Sequence, residues 1–193
     1  MQGVTDEQLV ASLSAGDTDC LGTLVARWER PLHRFVYRLL QRPEDARDVC
    51  QETFLRILHK AHRFKPGSRF STWMYQIALN LCRDHMRRRR RWGLLFATTS
   101  ENRESAPEAA PASDTEDPSA SAERREMGRA IVQALSRIPT QQREVLILKE
   151  YEGLKFKEIA ELLGCPESTV KSRMYYGLNG LRAELEQRGI TRP

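Results

Sequence analysis

The sequence predicts an all-α protein: two small helical domains joined by a flexible linker. Three observations carry this. Apolar residues recur at three- and four-residue steps on both sides of the chain's middle, without the two-residue alternation of a strand. One stretch, residues 97–122, has no Ile, Leu, Val or aromatic residue and contains three prolines. The blocks flanking it each hold enough apolar pattern for a small core. The expected division is a first domain over 1–93, a linker over 94–125 and a second domain over 126–193.

The elements follow in order. LGTLVARWERPLHRFVYRLL, residues 21–40, places Leu24, Trp28, Leu32, Phe35, Val36 and Leu39 at helical spacing. Pro31 is expected to kink or interrupt that segment. RPEDARDVCQETFLRILHKA comes next, with Pro43 suited to a helix start and Glu44 and Asp45 to its first turn. HRFKPGSRF, residues 62–70, breaks the pattern with Pro66 and Gly67. Ser71 is the expected N-cap of a long helix beginning TWMYQIALN. The bridge 97–122 cannot bury enough apolar surface to offset the entropy of ordering, so an extended linker is expected. In the second block, EMGRAIVQALSR puts Ile131, Leu135 and Ile138 on one side, and Pro139 ends the helix. TQQREVLILKEYEG then opens with Thr140 as N-cap and stops near Gly153. Two shorter helices complete the second domain.

Charge is unevenly spread. The net charge of the 193 residues is +5. Residues 1–93 carry 17 basic and 10 acidic side chains, a net +7, and residues 123–193 carry 13 and 10, a net +3. The bridge 97–122 has one arginine and six acids, a net −5. Two basic blocks suit a polyanion such as nucleic acid. No stretch approaches the roughly 18–20 apolar residues that cross a bilayer. MQGVTDEQLV lacks the basic and apolar regions of a signal peptide, so no membrane insertion and a cytoplasmic location are expected. Cys20, Cys50, Cys82 and Cys165 are scattered, with no CxxC pair. His59 and His62, like Cys82 and His85, lack a second pair at ligand spacing, so no metal and no cofactor are expected. No Gly-rich phosphate loop, GxSxG or plausible nucleophile set occurs, so no catalytic residue is assigned and no enzyme is expected.

Three helix faces carry the chemistry. Asp45, Asp48 and Glu52 share one stripe, while Ala46, Val49, Thr53 and Ile57 face inward. An acidic stripe in a basic block repels DNA and favours a basic protein partner. The next long helix turns Met74, Ile77, Ala78, Leu81 and Cys82 inward. Its polar face is Gln76, Asn80, Arg83, Arg87 and Arg90, at steps of four and three. That face begins with amides, which read base edges, and ends in a run of arginines including Arg88 and Arg91, which hold phosphates. Trp73, Tyr75 and Trp92 are interleaved with it, Trp73 being expected in the core. The loop before it mixes Phe64 and Phe70 with Arg63, Lys65 and Arg69, a composition able to hold an unstacked base. FKEIAELLGCPESTVKSRMYYGL, residues 156–178, has the pattern of a helix-turn-helix. Ile159, Ala160 and Leu163 line the first helix, Gly164 the turn, and Pro166 the first position of the second helix. Val170, Met174 and Leu178 form its inner stripe. Glu167, Ser168, Thr169, Lys171, Ser172 and Arg173 stand near its N-terminal half, where a helix entering a major groove meets the bases.

EDARDVCQETFLRILHKAHRF, FSTWMYQIALNLCRDHMRRRRR and IPTQQREVLILKEYEGLKFKEIAELLGCPESTVKSRMYYGLNGLR, in this order, resemble the extracytoplasmic-function sigma factors. The resemblance runs from about residue 7 to residue 186. It implies a bacterial alternative sigma factor with helical domains two and four. It implies that Asp45, Asp48 and Glu52, with Gln51 and Phe54 beside them, dock on core RNA polymerase. It assigns Phe64, Lys65, Arg69, Gln76, Asn80, Arg83, Arg87, Arg88, Arg90 and Arg91 to the −10 region of promoter DNA, and residues 62–70 to a flipped non-template base. It gives the helix-turn-helix, through Glu167–Arg173, to the −35 element, and runs the linker along the polymerase's RNA path. An anti-sigma factor is the expected regulator, and a monomer the expected free state. The alternative is a stand-alone helix-turn-helix regulator, which would leave the acidic stripe and linker without a role.

Overall fold

The computed structural model describes residues 3–96 and 118–190. All regular structure among them is helical, with no strand. They fall into two compact units, the first built mainly from the helices before residue 97 and the second from those after 117; Tyr37–Pro43 groups with the second.

The first unit comprises α1 (Asp6–Ser14), α2 (Asp19–Leu40), α3 (Pro43–Lys60), a 3-10 turn (Ala61–Arg63) and α4 (Phe70–Phe96). Thr5 and Gln8 form a capping box that starts α1: Thr5 Oγ1 accepts from the Gln8 N–H at 3.2 Å, and Gln8 Oε1 from the Thr5 N–H at 2.8 Å. α2 runs unbroken through Pro31, contrary to the interruption its ring leads one to expect. The lost hydrogen bond is outweighed by burial on both sides of it, at Leu24, Leu32, Phe35 and Val36. Gln41, at φ 58, closes α2 by donating its N–H to the Tyr37 carbonyl at 2.7 Å. Pro43 then opens α3 with a φ already suited to a helix.

α3 buries Ala46, Val49, Cys50, Thr53, Phe54 and Ile57, steps of three and four that hold one face against the core. α4 buries Phe70, Met74, Tyr75, Ala78, Leu79, Leu81 and Cys82. Ile77, expected inside, is only half-buried, and Tyr75 and Leu79 lie in the core. Tyr75 rests against Phe35 at 4.7 Å and Trp28 at 6.2 Å between ring centroids, so it is a core residue and not a stacking platform. Trp73 is half-buried, with Phe64 at 5.3 Å and Phe70 at 6.4 Å. Ser71 is not the N-cap. The helix starts one residue earlier, at Phe70, whose N–H is taken by Glu7 Oε1 of α1 at 3.0 Å.

The expected extended linker is shortened at both ends, because helix continues to Phe96 and resumes at Pro118. Pro118 fits a first helical turn, and SASAERRE after it is rich in helix-formers. Residues 97–117 of that segment lie outside the described residues.

The second unit comprises α5 (Pro118–Arg137), α6 (Thr140–Leu146), a π-helical turn (Ile147–Tyr151), α7 (Phe156–Leu163) and α8 (Glu167–Glu186). Thr140 is the first residue of α6 and Pro139 its cap, one position earlier than expected. Gly153, at φ 66, ends the π-helical turn, and the Leu154 N–H reaches back to the Leu148 carbonyl at 3.1 Å. α8 has 20 residues, so it is no short helix, and it packs on α5, α6 and α7. Its buried side is Val170, Met174 and Gly177. Leu178, expected on that stripe, is 45% exposed, since four-residue steps drift off a 3.6-residue period.

Gly177 lets α8 approach α6 closely: an added Cβ would lie 3.1 Å from Leu146 Cδ1 and 3.3 Å from Gln142 Cβ. Gly22, exposed on α2, has open space instead. Gly22→Ala should stabilise the protein by up to about 1 kcal/mol through helix propensity. Gly177→Ala should lower the melting temperature, because overpacking against fully buried Leu146 costs about 1–3 kcal/mol and exceeds that gain. Thermal unfolding of both variants checks this.

Cysteine reactivity reports the same packing. Cys50 and Cys82 are buried, Cys20 and Cys165 partly exposed. Burial, with Glu29 adding to it, pushes the Cys50 thiol up to about 12. A thiol reagent applied to the folded protein should label Cys20 and Cys165 and reach Cys50 and Cys82 only after denaturation. Fast native labelling at Cys50 would mean that α3 is not packed as described.

Candidate polymerase- and nucleic-acid-binding faces

The first face is the outer side of α3. Once Ala46, Val49, Cys50, Thr53, Phe54 and Ile57 turn inward, Asp48, Gln51 and Leu55 are exposed and Glu52 is partly so. They fall at i, i+3, i+4 and i+7, one continuous stripe. Asp48 makes no ion pair among the described residues, whereas Glu52 Oε1 holds Arg56 Nε at 2.8 Å one turn on. Asp45 is not free for a partner in the same way: its Oδ2 lies 3.1 Å from His85 Nε2 of α4. Phe54, expected beside the acids, is 8% exposed and belongs to the core. It sits at i+4 from Cys50 and i+1 from Thr53, both inward, so the period alone excludes it from the stripe. Leu55, 43% exposed, is the apolar residue on this stripe, a position that local pattern reading passes over.

The second face lies on α4 and the loop before it. Gln76, Asn80, Arg87, Arg88, Arg90 and Arg91 are exposed and Arg83 is half-buried. The helix holds the expected face together over about four turns, since Gln76, Asn80, Arg83, Arg87 and Arg90 keep their steps of four and three. Arg87 also pairs with Asp84 on its own helix. In the loop, Lys65 and Arg69 are exposed and Phe64 is half-buried against Trp73. Lys65–Ser68 forms a tight turn, with the Ser68 N–H on the Lys65 carbonyl at 3.1 Å and Gly67 at φ 81. Proline at the second position and a positive-φ glycine at the third suit a type II turn. Phe70, at the loop's far end, is fully buried and unavailable to a ligand.

The third face is α8 seen from the turn. Gly164, at φ 65, closes α7, and the Cys165 N–H bonds the Ala160 carbonyl at 3.1 Å. α8 starts at Glu167 rather than Pro166; the Pro166 carbonyl accepts from Thr169 and Val170 N–H at 2.9 and 3.2 Å. Ile159 and Leu162 are the buried residues of α7, with Ala160 and Leu163 half-buried. Glu167, Ser168, Lys171 and Ser172 are exposed, and Thr169 and Arg173 half-buried. Lys171 Nζ is 2.7 Å from Glu167 Oε1, and Arg173 Nη1 reaches Cys165 Sγ at 3.7 Å. Tyr175 and Tyr176, 62% and 60% exposed, extend this face a further turn, their rings 5.4 Å apart. They are i+4 from Lys171 and Ser172, and that spacing is the signal the sequence reading passed over. Among the described residues no group of three potential metal ligands occurs.

The chain as a whole is similar to known proteins. The Sigma-70 region 2 profile matches residues 24–92 and the Sigma-70 region 4 profile residues 128–179. The chain is 31% identical over 170 residues to the RNA polymerase sigma-H factor of Pseudomonas aeruginosa, covering 88% of each. It is 30% identical over 175 residues to the ECF RNA polymerase sigma-E factor of Escherichia coli, covering 89% of this chain and 90% of that one. Among solved structures, the sigma factor RpoE in complex with the anti-sigma factor NepR, from Bartonella quintana, shares the fold with a TM-score of 0.69 at 23% identity, over 86% of this chain and 96% of that one.

Proposed function

This chain belongs to the extracytoplasmic-function sigma factors, alternative sigma factors of transcription initiation, and we propose how its three faces divide that work. The reading rests on one observation: an exposed acidic stripe on α3 and an exposed basic face on α4 share one small unit. A stand-alone DNA-binding protein has no use for the first. A specificity subunit needs both, one for the polymerase and one for the promoter.

In this reading residues 1–93 act as domain two and 126–193 as domain four. Asp48, Gln51, Glu52 and Leu55 meet a basic helix of core RNA polymerase, with Asp45 held ready by His85. The acids steer the encounter, and Leu55 adds apolar burial at its centre. Gln76, Asn80 and Arg83 read the −10 region, while Arg87, Arg88, Arg90 and Arg91 hold phosphates on either side of the opening. Phe64, Lys65 and Arg69 take up a non-template base once it leaves the stack. Capture of that base offsets an unstacking cost of a few kcal/mol, so no nucleotide hydrolysis is required. On α8, Glu167, Ser168, Thr169, Lys171, Ser172 and Arg173 face the −35 bases. Tyr175 and Tyr176 extend that contact along the groove. No step calls for a catalytic group or a metal. The site of action is the cytoplasm, and an anti-sigma protein masks these faces until transcription is needed, a partner of the kind bound to the Bartonella RpoE.

Run-off transcription with core polymerase and genomic fragments tests this directly. RNA 5′ ends that depend on the protein and share spaced −35 and −10 motifs are expected. Asp48→Lys with Glu52→Lys should abolish those starts and pull-down of polymerase, while duplex binding by domain four survives. Binding to polymerase at wild-type affinity would sink the docking assignment. For the basic run, Arg87→Ala with Arg88→Ala should lower the slope of log affinity against log salt by about one to two, since each phosphate contact contributes roughly 0.7–0.9. The lower end of that range applies if Asp84 already offsets part of the Arg87 charge. An unchanged slope would remove the arginines from the phosphate track.

A further inference from the structure

We propose that Glu167 and Lys171 work as one unit that reads a single C·G base pair of the −35 element, Glu167 taking the amino group of the cytosine. The proposal rests on the assignment of α8 to that element made above. Of the side chains assigned there, Ser168, Thr169, Lys171, Ser172 and Arg173 are neutral or cationic, and Glu167 is the one acid. A carboxylate cannot hold a phosphate, and the phosphates that flank a groove repel it. At the tip of a DNA-facing helix it either costs affinity or accepts a hydrogen bond from a base. The donors on offer in a major groove are the amino groups N4 of cytosine and N6 of adenine. Adenine sets the acceptor N7 beside its amino group, whereas cytosine has no acceptor there, so a carboxylate favours cytosine. Guanine and thymine present acceptors but no donor, and are rejected.

The geometry supplies the other half of the unit. Glu167 and Lys171 stand one turn apart on α8, and Lys171 Nζ lies 2.7 Å from Glu167 Oε1. Both side chains stay open to solvent, at 44% and 58% exposure. Lys171 is also bounded from the side. Its ammonium is 5.9 Å from the Phe156 ring of α7, a ring that Lys149 faces at 5.0 Å. Acceptor and donor are thus placed side by side before DNA arrives, so less side-chain freedom is lost on binding. Two neighbouring polar groups turn back to their own unit: Ser172 Oγ donates to the Thr169 carbonyl at 3.0 Å, and Arg173 Nη1 reaches Cys165 Sγ at 3.7 Å. A C·G pair shows the complementary arrangement in the major groove, the N4 amino donor of cytosine beside the O6 and N7 acceptors of guanine. Glu167 and Lys171 match it acceptor to donor and donor to acceptor. An ion pair that served only the helix, through its dipole and an i,i+4 contact, would leave every DNA sequence equally bound.

The test uses holoenzyme, assembled from the full-length protein and core polymerase, and a promoter library with a randomised −35 element, sequenced before and after binding. Wild type should retain a C·G pair, in one orientation, at one position. Glu167→Gln carries an amide that bonds N6 and N7 of adenine, so at that position alone the preference should move from cytosine to adenine by about tenfold. Glu167→Ala should lose about tenfold of the preference for C·G there, while the other positions keep theirs. Replacing the guanine of that pair by 7-deazaguanine, which lacks N7, should weaken wild type severalfold and leave Lys171→Ala unaffected. A Glu167→Gln variant with the wild-type preference at every position would overturn the proposal. So would a uniform gain or loss of affinity across the library, which marks Glu167 as a support of the helix or a general repulsive charge. An analogue effect that persists in Lys171→Ala would overturn the joint action of the two residues. If wild type retains no −35 sequence at all, α8 does not read that element and the proposal falls with that assignment. A retained −35 element that Glu167→Gln leaves unchanged sinks the proposal alone.

Discussion

Every working helix in this protein must turn one face to a core, and a period of 3.6 residues decides which side chains are left over. α3, α4 and α8 each do both jobs at once. Their inward positions are filled by close-packed apolar groups, so a functional side chain cannot be moved by one position without exchanging it for a core residue. The acidic stripe, the amide-to-arginine face and the major-groove face are the complements of three buried stripes. Stability and interaction are therefore coupled residue by residue, in units too small to hold a second layer of structure that could separate them.

Within the first unit, opposite charges lie on adjacent helices without cancelling. α3 presents carboxylates and α4 guanidiniums, and the cross-helix contact described between them is made by His85 and Asp45. Glu52 with Arg56 and Asp84 with Arg87 join neighbours on one helix, and such exposed pairs contribute little to stability. The charges are better understood as fields aimed outward. In the proposed division of work, an acidic face repels the DNA that the basic face attracts, which would orient the unit between two unlike partners before either makes close contact.

Much of this was legible beforehand, for reasons that also explain what was not. Helices and their inward faces follow from local periodicity, and Val49, Ile57, Met74, Ile159 and Val170 all lie where spacing puts them. Local pattern is ambiguous where one position more or less decides. Phe54 and Leu55 are both apolar and adjacent, and only strict adherence to the buried steps tells them apart. Four-residue steps lead from Val170 through Met174 to Leu178 and pass by Gly177, whose lack of a side chain is why it lies at the helix crossing. The uninterrupted helix at Pro31 and the helix start at Phe70 rather than after Ser71 have a different cause. Local backbone preference is overruled there by contacts from elsewhere: burial around α2 in one case, a carboxylate 63 residues away in the other. Contacts of that range leave no mark on a local pattern.

The length of α8 has a mechanical consequence. Its N-terminal end carries the residues proposed to face the −35 bases, while Gly177 and Gly180 lie where an added Cβ would crowd Leu146 and Ile138. From Thr169 to Gly180 the rod is about 16 Å long, at roughly 1.5 Å per residue. It works as a lever with its fulcrum at the glycines: a tilt of about ten degrees there sweeps the far tip through about 3 Å, the width of a hydrogen bond. A substitution at the fulcrum can thus change which bases the tip meets without altering a single residue that touches them.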